Sequence, residues 1–322
     1  MHFLIILIAI AVLESNGQLA FIQRDLWVQK WHGVVAKLPA LKNNGLLKVA
    51  VYVLVPVIAL QLVLWYLSSG GSGILVFLLE LGVLLYCLGR GDLTAQIAVL
   101  ESDIQRSDLQ AAFHDAAVFN IGHRTVSVDS AEGLFRELAA TLPYRLFERS
   151  FVVVFWFFFL GAPLALAYRL LALHGDMQLE RVDAEVPRDK EQTAEDDIAE
   201  VLEAVVPNQA NKWLWYLEWL PVRFLALTLG LMGDFSQAIR PLKELVFCPK
   251  TSTADVLRLC VLGALNRQSS AVSQGVSQEV SQESDVASND TAALAQVAEI
   301  VALFRRSMTG WLVAIALLVL TS

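Results

Sequence analysis

The chain has 322 residues, of which 56% are hydrophobic and 17% charged, with a formal net charge of −8. That apolar share exceeds the roughly 45–50% of a soluble globular domain, and mean hydropathy is +0.55. An acidic chain with no Lys/Arg-rich run weighs against nucleic acid as a partner. No Gly-rich phosphate loop and no zinc-ligand spacing occurs, so no cofactor and no metal is expected. The cysteines Cys87, Cys248 and Cys260 form no CxxC pair and read as small buried hydrophobes.

The N-terminal run Met1–Leu13 lacks a basic n-region and an A-x-A site, and Glu14 follows at once. This argues against a cleaved signal peptide. Its apolar stretch is also shorter than the roughly 20 residues a crossing helix needs, so it is expected to tilt or to insert partly. Residues 15–48 carry Arg24, Lys30, Lys37, Lys42 and Lys48 against Asp25, a net +4. The positive-inside rule puts them in the cytoplasm. Leu46–Leu67 reads as a span, Ser68–Gly73 as a tight turn, and Ile74–Gly89 as the returning span.

Residues 90–149 read as a cytoplasmic helical hairpin. Its first helix, Thr94–Phe119, has apolar residues at helical spacing. Its second opens on Asp129–Glu132 as a capping box and runs through Leu134, Leu138 and Leu142 to Pro143. Ser150–Leu173 reads as a Phe-rich span with a break at Gly161-Ala-Pro163. Residues 173–212 hold eleven acids and four bases, net −7, and are assigned to an external loop. Trp213–Met232 is the fourth strong span. The remainder, 233–322, contains an amphipathic stretch at Val256–Leu265, a Ser/Gln-rich linker at 268–290 expected to be disordered, a helix over Thr291–Arg306, and a short final run at Gly310–Leu320.

The expected fold is therefore all-α. It is a polytopic helical membrane protein with about four strong spans, short terminal hydrophobic segments and a cytoplasmic hairpin. Its regions are 1–89, 90–149, 150–232 and 233–322. Membrane lipid is the first partner this implies.

Four charges in apolar surroundings are the candidate site residues, as ligand-binding or structural groups: Glu80, Glu218, Arg223 and Arg169. Glu80 lies inside the returning span. Pro221 removes a backbone bond and kinks its helix. Trp213, Trp215, Tyr216 and Trp219 form an aromatic belt before it. Glu218 and Arg223 are five positions apart, about 140° around a helix, so Arg223 is expected to find a partner on another helix, with Glu80 the first choice. Arg169 ends a span and is expected to snorkel. The histidines His114, His123 and His174 fall on different elements and form no expected cluster. No nucleophile–base constellation can be assembled from spacing, and no catalytic residue is assigned.

Two stretches carry a resemblance: Trp156-Phe-Phe-Phe-Leu-Gly-Ala-Pro-Leu-Ala-Leu-Ala-Tyr-Arg169 and Leu217-Glu-Trp-Leu-Pro-Val-Arg-Phe-Leu225. With Tyr86-Cys-Leu-Gly-Arg-Gly-Asp-Leu93 and the segment after Arg305-Arg306, they resemble the AmpE family of inner-membrane proteins linked to β-lactamase induction. That family is distantly similar to the CobD/CbiB cobalamin-synthesis proteins, whose Asn-Trp-Ile-Pro-Ala-Arg stretch resembles Glu218–Arg223. The carboxylate motif of those enzymes has no counterpart here, since the matching place reads Ser150-Phe-Val-Val-Val-Phe-Trp156. The resemblance implies a multi-pass protein of the bacterial inner membrane, with a non-enzymatic regulatory role in β-lactamase induction and cell-wall recycling. Its implied partners are cell-wall fragments or a cell-wall-recycling amidase pathway. The alternative is a membrane enzyme or transporter that keeps a ligand cavity.

Overall fold

The computed structural model describes residues 1–16, 25–37, 44–88, 131–185, 209–245, 251–265 and 286–321, with five further positions between 96 and 111. Among these residues there is no strand. Helices α1 (His2–Asn16), α2 (Leu26–Lys37), α3 (Gly45–Ser69) and α4 (Gly73–Cys87) come first. A second group comprises α5 (Ala131–Leu146), a π-helical turn at Phe147–Phe151, α6 (Val152–Leu160) and α7 (Ala162–Glu185). The last are α8 (Gln209–Met232), α9 (Phe235–Leu245), α10 (Thr253–Ala264) and α11 (Val286–Thr321). They form two compact units. Unit 1 is Met1–Gly89 with Val152–Glu218, and unit 2 is Arg90–Phe151 with Trp219–Ser322.

Among the described residues, three helices are long and apolar enough to cross a membrane: Gly45–Ser69, Lys212–Met232 and Ala295–Thr321. Their exposed faces carry the large apolar side chains that lipid would cover. On α8, Trp213, Tyr216, Leu220, Phe224, Leu227 and Leu231 are all exposed at steps of three and four, one stripe of a helix. Glu218, Val222, Leu225 and Leu229 are buried on the opposite stripe.

The span pattern differs from the expectation in three places. Helix α4 has 15 residues, about 22 Å, short of the roughly 30 Å apolar core. Ser150–Leu173 is not one helix: the π turn interrupts it, and Gly161 at φ 77° separates α6 from α7. That left-handed conformation suits glycine alone among common residues, and α6 packs against α7. The final run is not short, because Gly310–Leu320 belongs to the 36-residue α11. No proline interrupts residues 286–321, so the helix runs through.

Boundaries shift for the same reason. Helix α7 continues to Glu185, so residue 173 does not begin a loop, and the acidic residues 186–208 lie outside the described residues. Helix α11 starts at Val286, inside the expected linker 268–290, of which 268–285 lie outside the described residues. The second hairpin helix is present as α5, with Leu134, Leu138 and Leu142 buried and Pro143 inside it. Most of the first lies outside the described residues, as do His114 and His123.

Unit 1 is built around α7. Every residue from Ala165 to His174 is buried, because α3, α4 and α6 pack on it. Two carbonyls of this unit that a proline frees are filled by tryptophan. Pro56 has no N–H to offer Tyr52 four residues back, and Trp31 Nε1 donates to that oxygen at 3.0 Å. Pro221 likewise frees the Leu217 oxygen, which accepts from Trp156 Nε1 at 3.0 Å.

In unit 2, α5 packs against α10 and α11, and α9 against α10. Two glycines let α9 and α10 meet. A Cβ on Gly233 would lie 2.5 Å from the Ala264 oxygen, and one on Gly263 would lie 2.6 Å from the Gln237 oxygen. Helix α10 is capped by Ser252, whose hydroxyl accepts from Asp255 N at 3.1 Å. Burial pushes its Cys260 thiol up to about 12; both Cys260 and Cys87 are buried and free.

Candidate functional site: a buried polar core in unit 1

Each of the four sequence candidates has a definite place. Glu80 lies on α4 with a side chain 14% exposed, and His2 Nε2 is 3.9 Å from its carboxylate. The same imidazole sits edge-on to Phe157, with ring centroids 5.5 Å apart. Glu80 therefore has a titratable neighbour within its own unit. Glu218 is buried and accepts from the Tyr168 hydroxyl at 3.0 Å. Arg223, in unit 2, turns back on its own helix. Its Nη1 donates to the Trp219 carbonyl at 2.5 Å, and its guanidinium carbon lies 4.0 Å from the centre of the Trp219 ring. An arginine over an indole face gains a cation–π attraction. One turn of helix thus gives Arg223 both an acceptor and an aromatic face.

Arg169 departs most from its expectation. It does not snorkel from a span end. It lies a third of the way along α7 and is 6% exposed. Residues of three other helices come to the same region. Tyr52 of α3, and Tyr86 and Cys87 of α4, lie within electrostatic reach of its charge. Tyr86 donates from its hydroxyl to Asp25 at 3.0 Å. His32 of α2 and His174 of α7 stand with ring centroids 5.3 Å apart, and Tyr52 is 5.1 Å from His174 and 5.7 Å from His32.

No protein-family model, no curated protein and no solved structure matches the chain.

The core carries weight for a physical reason. A guanidinium stays protonated at any ordinary pH, and burying a charge costs several kcal/mol unless a partner compensates it. Among the described residues no carboxylate forms an ion pair with Arg169. The Tyr52 hydroxyl is fully buried and has no hydrogen-bond partner among the described residues. The Tyr52 hydroxyl is therefore a donor without an acceptor among the described residues. Clusters of three or more metal-ligating side chains are absent among the described residues.

Sequence reasoning found Arg169 but missed its company. His32, Tyr52, Tyr86 and Asp25 come from segments 83 to 144 positions away in the chain, and no spacing rule links them. One signal was present. Tyrosines in the apolar helices α3 and α4 need partners for their hydroxyls, as buried tyrosines do.

The structure also bears on depth. His32 belongs to the segment 15–48 and His174 to the segment 173–212, which charge alone assigned to opposite sides. Ring contact at 5.3 Å puts these two positions side by side.

Proposed function

We propose that this chain is a multi-pass protein of the bacterial inner membrane. Its role is non-enzymatic and regulatory, of the AmpE type, in β-lactamase induction and cell-wall recycling. The observation that carries the reading is the stretch Glu218-Trp-Leu-Pro-Val-Arg223, the most specific part of the resemblance. It lies in α8, one of three helices long and apolar enough to cross a membrane. Exposed apolar stripes on α3, α8 and α11 favour contact with lipid.

The test is deletion in the native bacterium, followed by β-lactamase activity with and without a β-lactam inducer. Induction several-fold below wild type, restored by the gene in trans, is the expected result. Unchanged induction in the deletion strain would remove the regulatory role. Orientation is tested separately by fusing reporters at residues 115 and 195. The charge asymmetry assigns the first to the cytoplasm and the second to the periplasm.

A second reading, a membrane enzyme or transporter with a ligand cavity, is favoured by the buried cation at Arg169. Turnover or uptake of a defined small molecule by purified, reconstituted protein would raise it above the first.

A further inference from the structure

The helix break of unit 1 has a histidine seated against it. Gly161 separates α6 from α7, so the last carbonyls of α6 lose their helical partners. His2 of α1 answers one of them, with Nδ1 3.4 Å from the Phe158 oxygen. Its ring stands edge-on to Phe157, and a Cβ on Gly161 would lie 3.6 Å from its Nε2. That same Nε2 is 3.9 Å from the Glu80 carboxylate of α4.

Both ring nitrogens thus face acceptors. A carbonyl oxygen only accepts, so Nδ1 must carry a proton. In the neutral ring Nε2 would then turn a lone pair toward a carboxylate. The imidazolium donates from both nitrogens and suits both neighbours. It also places a cation at the C-terminal end of α6, where the helix dipole favours one.

We propose that His2 is a proton-operated latch. Doubly protonated, it holds the first turn of α1 against Glu80 of α4 and the broken end of α6; without the Nε2 proton it lets that turn go. Water can deliver the proton, because the His2 side chain is 40% exposed. The turn that follows is packed, with Ile5, Ile6 and Ala9 fully buried, so a change at His2 is passed to the contacts of α1 with α4 and α6. Other titratable groups stand aside. Helix α6 carries none, and on α4 Tyr86 and Cys87 lie almost two turns beyond Glu80. Among the described residues no basic group of α3 or α7, Arg169 included, pairs with Glu80. On α1 itself the Met1 amino group is the neighbour in sequence, and Glu14 is twelve positions away. The latch is closed at acidic pH and opens as pH rises through the range in which imidazoles titrate, about pH 5–8.

Spin labels on the exposed positions 4 of α1 and 78 of α4 test this. They are attached through Leu4→Cys and Leu78→Cys in full-length protein in nanodiscs, with Cys87, Cys248 and Cys260 changed to Ala. Electron–electron distance measurements at pH 5.5 should give one narrow distribution. At pH 8.5 it should broaden and move outward, reversibly. Glu80→Gln offers an oxygen to the imidazolium and an N–H to the neutral ring, so the narrow distribution should persist at both pH values. His2→Gln should also abolish the pH response, and if that variant does not insert, Glu80→Gln alone decides. Identical distributions at pH 5.5 and 8.5 without either change would overturn the proposal. A pH response of undiminished size in Glu80→Gln would do so too, by assigning it to another group.

Discussion

In unit 1 the buried polar contacts join residues far apart in the chain. Tyr86 reaches Asp25 across 61 positions, Trp156 reaches Leu217 across 61, and Tyr168 reaches Glu218 across 50. Four side-chain polar contacts among the described residues of unit 2 are local. Arg145 meets Glu148 three positions on, Arg223 meets Trp219 four back, Ser236 meets Asp234 two back, and Ser252 meets Asp255 three on. A local pair needs only one helix to exist. A distant pair needs the whole unit to close, and its energy is lost as a block when one helix leaves. Unit 1 thus holds its polar interior through distant pairs, whereas these pairs of unit 2 close within a turn or so of chain.

The largest expected effect tests whether a local pair can still be a strong one. Glu148 is 4% exposed and its carboxylate lies 2.7 Å from the Arg145 guanidinium. Arg145→Met leaves a buried carboxylate short of its counter-charge, at a cost of about 3–5 kcal/mol. Adding Glu148→Gln should recover most of that loss in denaturation measurements. Strictly additive effects of the two changes would show that the pair is not coupled.

An intermediate effect sharpens the account of distant contacts. Trp31→Phe keeps a ring but leaves the Tyr52 carbonyl unfilled, which should cost about 1–3 kcal/mol. In a Pro56→Ala background the helix supplies its own N–H, and the same change should cost much less. The corresponding pair in α8 is Trp156→Phe with Pro221→Ala, and it should behave alike. Equal costs in both backgrounds would mean that the indoles do not act through the proline-freed oxygens.

The smallest effect belongs to Asp234, which caps α9. The Ser236 hydroxyl, and after it the Gln237 backbone N–H, hold its carboxyl below the usual carboxylate range. A depressed carboxyl stabilises the fold above its unfolded value and loses that contribution as pH falls through its folded value. The helix start should therefore weaken only below about pH 4. It should be unchanged between pH 6 and 8, as hydrogen exchange on α9 would report. Asp234→Asn, which keeps the cap, should remove that site's acid dependence.

This contrast also explains what the sequence could disclose. Helical content, the long apolar helices over Leu46–Leu67 and Trp213–Met232, and the run of Leu134, Leu138 and Leu142 on one face are all sequence signals, and all recur in the structure as helices of that length and composition. The break at Gly161-Ala-Pro163 was visible, but its consequence was not: a left-handed glycine there ends α6 and makes α7 a separate, buried helix. Arg169 stood out as a charge in an apolar run, yet its depth depends on α3 and α4 covering α7. Arg223 was expected to need another helix, and Trp219, one turn back, gives it both an oxygen and a ring face. The proline at 221 was legible as a lost hydrogen bond. The indole of Trp156 that restores it, 61 positions away, was not.

The central claim is that α2 and α7 meet in unit 1 to enclose a polar core. Photo-crosslinking in native membranes tests it directly. His32 is replaced by p-azidophenylalanine, an aromatic of similar reach, and cross-linked peptides are mapped by mass spectrometry after irradiation. The ring contact of His32 with His174 and with Tyr52 predicts cross-links to peptides from 162–185 and from the first turns of α3. Cross-links confined to residues 15–44, with none to 162–185 in a folded and membrane-inserted protein, would contradict the account.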